Sequence, residues 1–135
     1  MSGPFSSLSV SGSGMDVYQI WLDAIADNVS NINNVTATDE PAFQERFVIA
    51  RAKESGGQMR GAKVDRIEFG DPYGHEIYEP NHILADENGF VRVPNVDLSQ
   101  QMTHMLVAQR AYQANVTAFR TARDAYPRAL EIGRR

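Results

Sequence analysis

The chain has 135 residues, 42% hydrophobic and 22% charged, with a formal net charge of −4 at pH 7. That is the composition of a folded protein with room for one ordinary domain or two small modules. Zero cysteines exclude disulfides and thiol catalysis, no basic patch argues for nucleic acid, and no run of about 18 apolar residues offers a membrane span. The first Lys or Arg is Arg46, so no N-terminal stretch has the basic-then-apolar build of a cleaved signal peptide. The chain is expected to be cytosolic, or exported by a route that leaves its N-terminus intact.

Residues 1–13 are rich in Gly and Ser and are expected to be loose in a free chain. Ser13 followed by Asp16 reads as an N-cap with an acidic third residue. From there Met15, Tyr18, Leu22, Ile25, Val29 and Ile32 are spaced alternately three and four apart, the seam of a heptad. Leu8 stands seven before Met15, so the seam can extend backward when a partner is present. The helix is predicted to reach Asn33–Asn34, where two Asn and the β-branched Val35 and Thr36 disfavour it. The run Asn28 to Asn34 reads equally as a polar face for packed helices and as plain helix termination.

From Pro41 to Phe69 the pattern changes to alternation. Phe43, Phe47 and Ile49 share a face, Ser55-Gly56-Gly57 signals a turn, and Val64, Ile67 and Phe69 suggest a returning strand. Residues 70–97 are turn-rich, with short strands at most at His75–Tyr78 and Phe90–Val93, and read as an extended loop laid on a neighbour.

Asp97, with Gln100 three residues on, is placed to cap a second helix. Its seam reads Leu98, Met102, Met105, Gln109, Tyr112, Val116, Phe119, Arg123, Tyr126 and Leu130. Pro127 is expected to kink or end this helix near Tyr126. Neither helix carries a core of its own, and isolated helices of this length are marginal in water. The chain is therefore read as a structural, polymerising protein.

Charge is unevenly placed. Up to Glu45 stand Asp16, Asp23, Asp27, Asp39, Glu40 and Glu45 with no cation. From Leu98 onward stand Arg110, Arg120, Arg123, Arg128, Arg134 and Arg135 against only Asp124 and Glu131. Exposed pairs between two such helices are worth only ~0.2–1 kcal/mol each, so they select a partner more than they hold it.

Nothing in the chain makes a convincing catalytic, cofactor or metal site. His75, His82 and His104 fall in different segments with no cysteine beside them. Asp71, Glu76, Glu79, Asp86 and Glu87 form no fixed pair flanking a pocket. Gly56-Gly57 lacks the Lys and Ser/Thr of a phosphate loop, and no GxSxG elbow occurs.

Three stretches resemble a known family. Ser13-Gly14-Met15 with Leu22 to Asn33 is similar to the N-terminal signature of bacterial flagellar rod and hook proteins. Tyr78-Glu79-Pro80-Asn81-His82, Ala85 to Val91 and Pro94 to Asp97 resemble the middle of the proximal-rod subunits. Gln101-Met102 with Ala108 to Val116 resembles the C-terminal signature of the same axial proteins. Ile83 departs from the pattern, where Pro is expected.

The resemblance implies an α+β fold in which the terminal segments 1–40 and 97–135 pair as an antiparallel coiled coil lining an axial tube. A β-hairpin and extended-loop insert, 41–96, would lie outside it. It implies a non-catalytic basal-body rod subunit that transmits torque by rigid helix packing. Its partners would be copies of itself, other rod subunits and the flagellar export apparatus, with no nucleic acid and no direct membrane insertion. The expected assembly residues are Met15, Tyr18, Leu22, Ile25, Asn28, Val29, Asn31 and Ile32 in the first helix. In the second they are Met102, Met105, Gln109, Arg110, Tyr112, Asn115, Val116 and Phe119. The alternatives are another axial protein, such as a hook-junction subunit, or a small soluble coiled-coil adaptor.

Overall fold

A computed structural model describes residues 4–134. The order is α1 (Pro4–Ser30), β1 (Arg46–Ser55), β2 (Gln58–Phe69), β3 (His75–Tyr78), β4 (Phe90–Val93) and α2 (Leu98–Gly133). This is an α+β chain with two two-stranded sheets, β1 with β2 and β3 with β4. It divides into two compact units, and both draw on the helices and on the insert. The first takes α1 as far as Leu22, Ile49–Arg66 and α2 from Leu106; the second takes Asp23–Val48 and Ile67–Met105.

In the first unit the hairpin turns on Gly56 and Gly57, at φ of 60° and 76°. Both central residues of a two-residue type I′ turn need positive φ, which only glycine adopts without strain. The Gly/Ser-rich start, expected to be loose, is helical from Pro4 onward; residues 1–3 lie outside the described ones. Ser13 is no cap but sits inside α1. Its hydroxyl donates to the Val10 carbonyl at 2.7 Å and accepts the Ala62 N–H at 3.0 Å. Phe5 sets its ring edge-on to Tyr126, with centroids 4.8 Å apart. Contacts with β2 and α2 therefore supply the helix stability that serine and glycine lack intrinsically.

In the second unit α1 ends at Ser30, three residues earlier than expected. Asn31 donates its side-chain amide back to the Asp27 carbonyl at 2.8 Å, and a turn closes with Asn34 N–H on Asn31 O. Asparagine here competes for backbone partners and stops the helix. Ile32, assigned to the seam, consequently lies beyond the helix. Thr36 and Arg92 exchange both backbone hydrogen bonds at 2.9 Å.

The segment expected to be a loop forms an antiparallel pair, running from His75↔Val93 to Tyr78↔Phe90. The Tyr78 and Phe90 rings meet at 5.4 Å. Val91, Ile25, Ala24 and Ala42 are the buried apolar residues of this unit.

Asp97 caps α2, accepting the Gln100 N–H at 3.2 Å. The helix does not stop near Tyr126 but runs through Pro127 to Gly133. A proline removes a single N–H from a 36-residue ladder, and the neighbouring bonds carry the helix past it. The expected apolar face of the hairpin is not buried. Phe43 precedes β1, Phe47 is exposed, and Phe69 is 60% exposed.

Candidate assembly surface

Within α2 the buried positions are Gln101, Ala108 and Ala122, and half-buried Asn115 completes a line recurring every seven residues. Met105, Tyr112, Val116 and Phe119 are half-buried beside it. Met102 (55% exposed), Gln109 and Arg110 lie on exposed positions. The inward stripe of α2 thus keeps the expected Met105, Tyr112 and Phe119, but at the alternate positions it is displaced by one residue, from Met102 and Gln109 to Gln101 and Ala108. Small and amide side chains fill those positions, and a search for Leu, Ile, Val and Met passes over them. The regular interval Gln101, Ala108, Asn115, Ala122 was the available signal.

The matching side of α1 is also built for close approach. Ser11, Ser13, Ala24, Ile25 and Asn28 are buried, while Met15, Tyr18, Leu22, Val29 and Asn31 are half-buried. In the first unit Gly14 faces Asn115 so closely that a Cβ there would stand 2.5 Å from Asn115 Oδ1. Asn115 itself is fixed by donating to the Ala111 carbonyl at 2.9 Å.

In the second unit Asn28 and Gln101, each 1% exposed, form a buried polar hub. Asn28 Oδ1 accepts the Arg46 N–H at 2.9 Å, and Nδ2 donates to Arg46 O at 3.1 Å. The side chain thereby imitates a paired strand at the start of β1. The same Nδ2 donates to Gln101 Oε1 at 3.0 Å, and Gln101 Nε2 donates to the Glu45 carboxylate. Asp27 next door pairs with the Arg46 guanidinium.

The residues weighed for chemistry have structural partners. Asp86 Oδ1 accepts the N–H groups of Asn88 and Phe90 at 2.9 Å, and Oδ2 accepts the Thr38 hydroxyl at 3.0 Å. The Phe90 N–H foremost, then the Thr38 hydroxyl and the Asn88 and Gly89 N–H groups, hold this carboxyl below its ordinary value against an opposing desolvation. Such a carboxylate stays ionised and makes a poor general acid.

His75 meets Asn95 Oδ1 at 2.9 Å, and His82 Nδ1 accepts the Leu84 N–H at 3.1 Å. Among the described residues no three His, Cys, Asp or Glu converge as metal ligands, and no helix is long and apolar enough to cross a membrane. A groove of about 360 Å³ beside Phe5, Val10, Met59 and Arg60 has no carboxylate or imidazole in its lining.

What the geometry does present is outward apolar side chains on helices. Leu106 (59% exposed), Val107 and Ile20 are exposed in the first unit, and Leu98 and Met102 in the second.

The sequence profile of the family described as "Flagellar basal body rod FlgEFG protein C-terminal" matches residues 87–132. The flagellar basal-body rod protein FlgC of Escherichia coli O6:H1 is 32% identical over 126 residues, covering 92% of this chain and 93% of that one. FlgC of Salmonella typhimurium is 30% identical over 125 residues, with the same coverage of 92% and 93%. FlgC of Bacillus subtilis is 28% identical over 147 residues, covering 96% and 98%. Likeness of this extent over nearly the full length of both partners places the chain in one family: it belongs to the FlgC flagellar basal-body rod proteins.

Proposed function

We propose that this subunit polymerises through its terminal helices, which pair antiparallel as a coiled coil and form the axial core of the rod. As a family member it is a structural rod subunit of the flagellar basal body, assembling with other rod subunits, and not an enzyme. The observation that carries the proposal is surface left uncovered. On α2, Leu98, Met102, Leu106 and Val107 are each about half exposed, from 48% to 59%. Because each is about half exposed, burying Leu98, Met102, Leu106 and Val107 against neighbouring subunits would recover about 0.8–1.5 kcal/mol each.

The helix pairing is supported by two contacts, each inside one unit. Gly14 opposes Asn115, and Asn28 opposes Gln101. Each brings an α1 residue against an α2 residue, as helix pairing within a unit requires. On this reading segments 1–40 and 97–135 line the tube and the insert 41–96 stands outside. The seam residues Met15, Tyr18, Leu22, Ile25, Val29, Met105, Tyr112, Val116 and Phe119 hold the helices together. Met102, Gln109 and Arg110 face neighbouring subunits. Rigid packing of this kind carries torque. Export would proceed through the flagellar export apparatus.

The test is genetic and structural. Tyr112→Ala or Val116→Asp should abolish swimming while secretion of the subunit continues. A cryo-electron reconstruction of isolated basal bodies should place the paired helices against the axial channel. Normal swimming by both variants would refute the seam assignment.

A further inference from the structure

Resting on that rod reading, we infer that the loop 79–85 of one copy docks by its Ile83 tip into the groove between the start of α1 and the start of β2 of another copy. The loop lies wholly in the second unit and the groove wholly in the first, so each is described by itself.

The loop is tied down by its own backbone. The Glu79 N–H donates to Gly89 O at 2.9 Å, the His82 N–H to Glu79 O at 3.0 Å and the Ala85 N–H to His82 O at 3.0 Å. His82 Nδ1 accepts the Leu84 N–H at 3.1 Å, and Pro80 fixes its own φ. At the tip of this preordered turn Ile83 is 95% exposed, the most exposed large apolar side chain among the described residues. Tyr78 and Leu84 on either side are 65% and 41% exposed. Glu79 and Glu87, four residues before and four after Ile83, are exposed and make no ion pair among the described residues. The tip is therefore an aliphatic knob flanked by carboxylates, and docking it costs little ordering entropy.

The groove has the opposite character. Phe5 and Val10 from α1 and Met59 and Arg60 from β2 line a space of about 360 Å³, room for an aliphatic side chain. Phe5 and Met59 are each 66% exposed and Val10 41%. Arg60 makes no ion pair among the described residues, and no carboxylate stands in the lining to neutralise it. An apolar hollow with an unanswered cation matches an apolar knob with unanswered anions. Ile83 stays almost fully in water within its own chain, so the groove that covers it belongs to a second copy. The insert then contributes a contact of its own, separate from the helix pair, and its charges favour this groove over any acidic one.

The absence of native cysteines makes the contact directly readable. Full-length chains carrying one cysteine each, Asn81→Cys beside the knob and Gln58→Cys beside the groove, are mixed under a mild oxidant, so every disulfide formed joins two molecules. Circular dichroism verifies that these surface variants fold. A disulfide needs Cβ atoms within about 4.5 Å, so Asn81→Cys should link to Gln58→Cys at least about tenfold faster than to Ile132→Cys, an exposed control on α2. Adding Ile83→Ser to the knob chain, or Arg60→Glu to the groove chain, should slow the linkage about fivefold or more. Pairing Arg60→Glu with a knob chain carrying Glu79→Arg and Glu87→Arg should restore it to within about threefold. The same linkage should form in basal bodies isolated from cells that express both cysteine chains.

No preference for Gln58→Cys over the control, either in the purified chain or in basal bodies, overturns the inference. So does linkage indifferent to Ile83→Ser and Arg60→Glu, or an Asn81→Cys chain that links in basal bodies only to a different polypeptide. The rod reading fails separately: preferential linkage of a chain that is missing from basal bodies would sink the rod assignment and leave the knob and groove standing.

Discussion

Asn28→Ala is the most informative single substitution in the second unit. It removes three hydrogen bonds: two to the Arg46 backbone and one to the Gln101 amide oxygen. Gln101 is 1% exposed, so its oxygen is left without water, and an unpaired buried acceptor costs about 1–3 kcal/mol. The Arg46 backbone groups are only half-buried and recover part of their loss from solvent, about 0.5–1 kcal/mol together. The expected destabilisation is about 1.5–4 kcal/mol, a large share of the 5–15 kcal/mol typical of a domain.

At roughly 4 °C per kcal/mol for a chain of this size, the thermal midpoint should fall by about 6–16 °C. Urea unfolding of the full chain followed by circular dichroism measures this directly. Asn31→Ala is the internal control. Asn31 makes only a helix-end bond to the Asp27 carbonyl, so its loss should stay under about 1 kcal/mol. If the two variants are equally stable, the hub contributes nothing and the two Asn act only as helix stops.

Three further outcomes are expected. Gly14→Ala should destabilise the wild type, because the new Cβ meets Asn115 Oδ1 at 2.5 Å. In an Asn115→Ala background the same change should stabilise by about 0.5–1 kcal/mol, the ordinary gain for glycine to alanine inside a helix, and a thermal double-mutant cycle reads the reversal of sign. Asp86 has a folded value below its ordinary 3.8, so its contribution is fully present above about pH 4 and fades as pH falls through the lower folded value. Asp86→Asn should therefore be less stable than wild type at pH 7, with the gap narrowing at pH 3 in parallel denaturant titrations. Pro127→Ala restores a donor at an exposed position of α2 and should raise stability by about 1–3 kcal/mol and deepen the helical signal; an unchanged spectrum would mean the helix ends before Pro127 in solution.

Features set by neighbouring residues were legible from the amino-acid sequence. Gly56-Gly57 closes the hairpin because a two-residue turn demands positive φ, and Asp97 caps α2 because its carboxylate reaches the Gln100 N–H. His75–Tyr78 and Phe90–Val93 are strands over the spans expected of them. Features set by distant partners were not legible. The start of α1 is helical because Ser13 binds Ala62 and Phe5 meets Tyr126, and no local rule connects those positions. Met105, Tyr112, Phe119 and Tyr126 are half-buried on the α2 seam as read, but the alternate positions shift by one residue, from Met102, Gln109 and Arg123 to Gln101, Ala108 and Ala122, because close helix contact selects for smallness over apolar bulk.

That displacement explains the chemistry of the surface. Within each unit small and amide side chains bring α1 and α2 close, Gly14 against Asn115 in one and Asn28 against Gln101 in the other, but such contacts bury little apolar area. The larger apolar groups, Leu98, Met102, Leu106 and Val107, are thereby excluded from the intrachain contact and stand exposed. A subunit meant to fold to completion alone would place those side chains inward. A subunit meant to be completed by its neighbours gains by reversing the allocation: amides specify which helices pair, and the greasy residues strengthen contacts only once the next subunit arrives. Exchanging the two classes, for instance Ala108→Leu with Leu106→Ala, should disturb the helix pair, weaken association and leave the rod unbuilt, whatever the overall hydrophobicity of the chain.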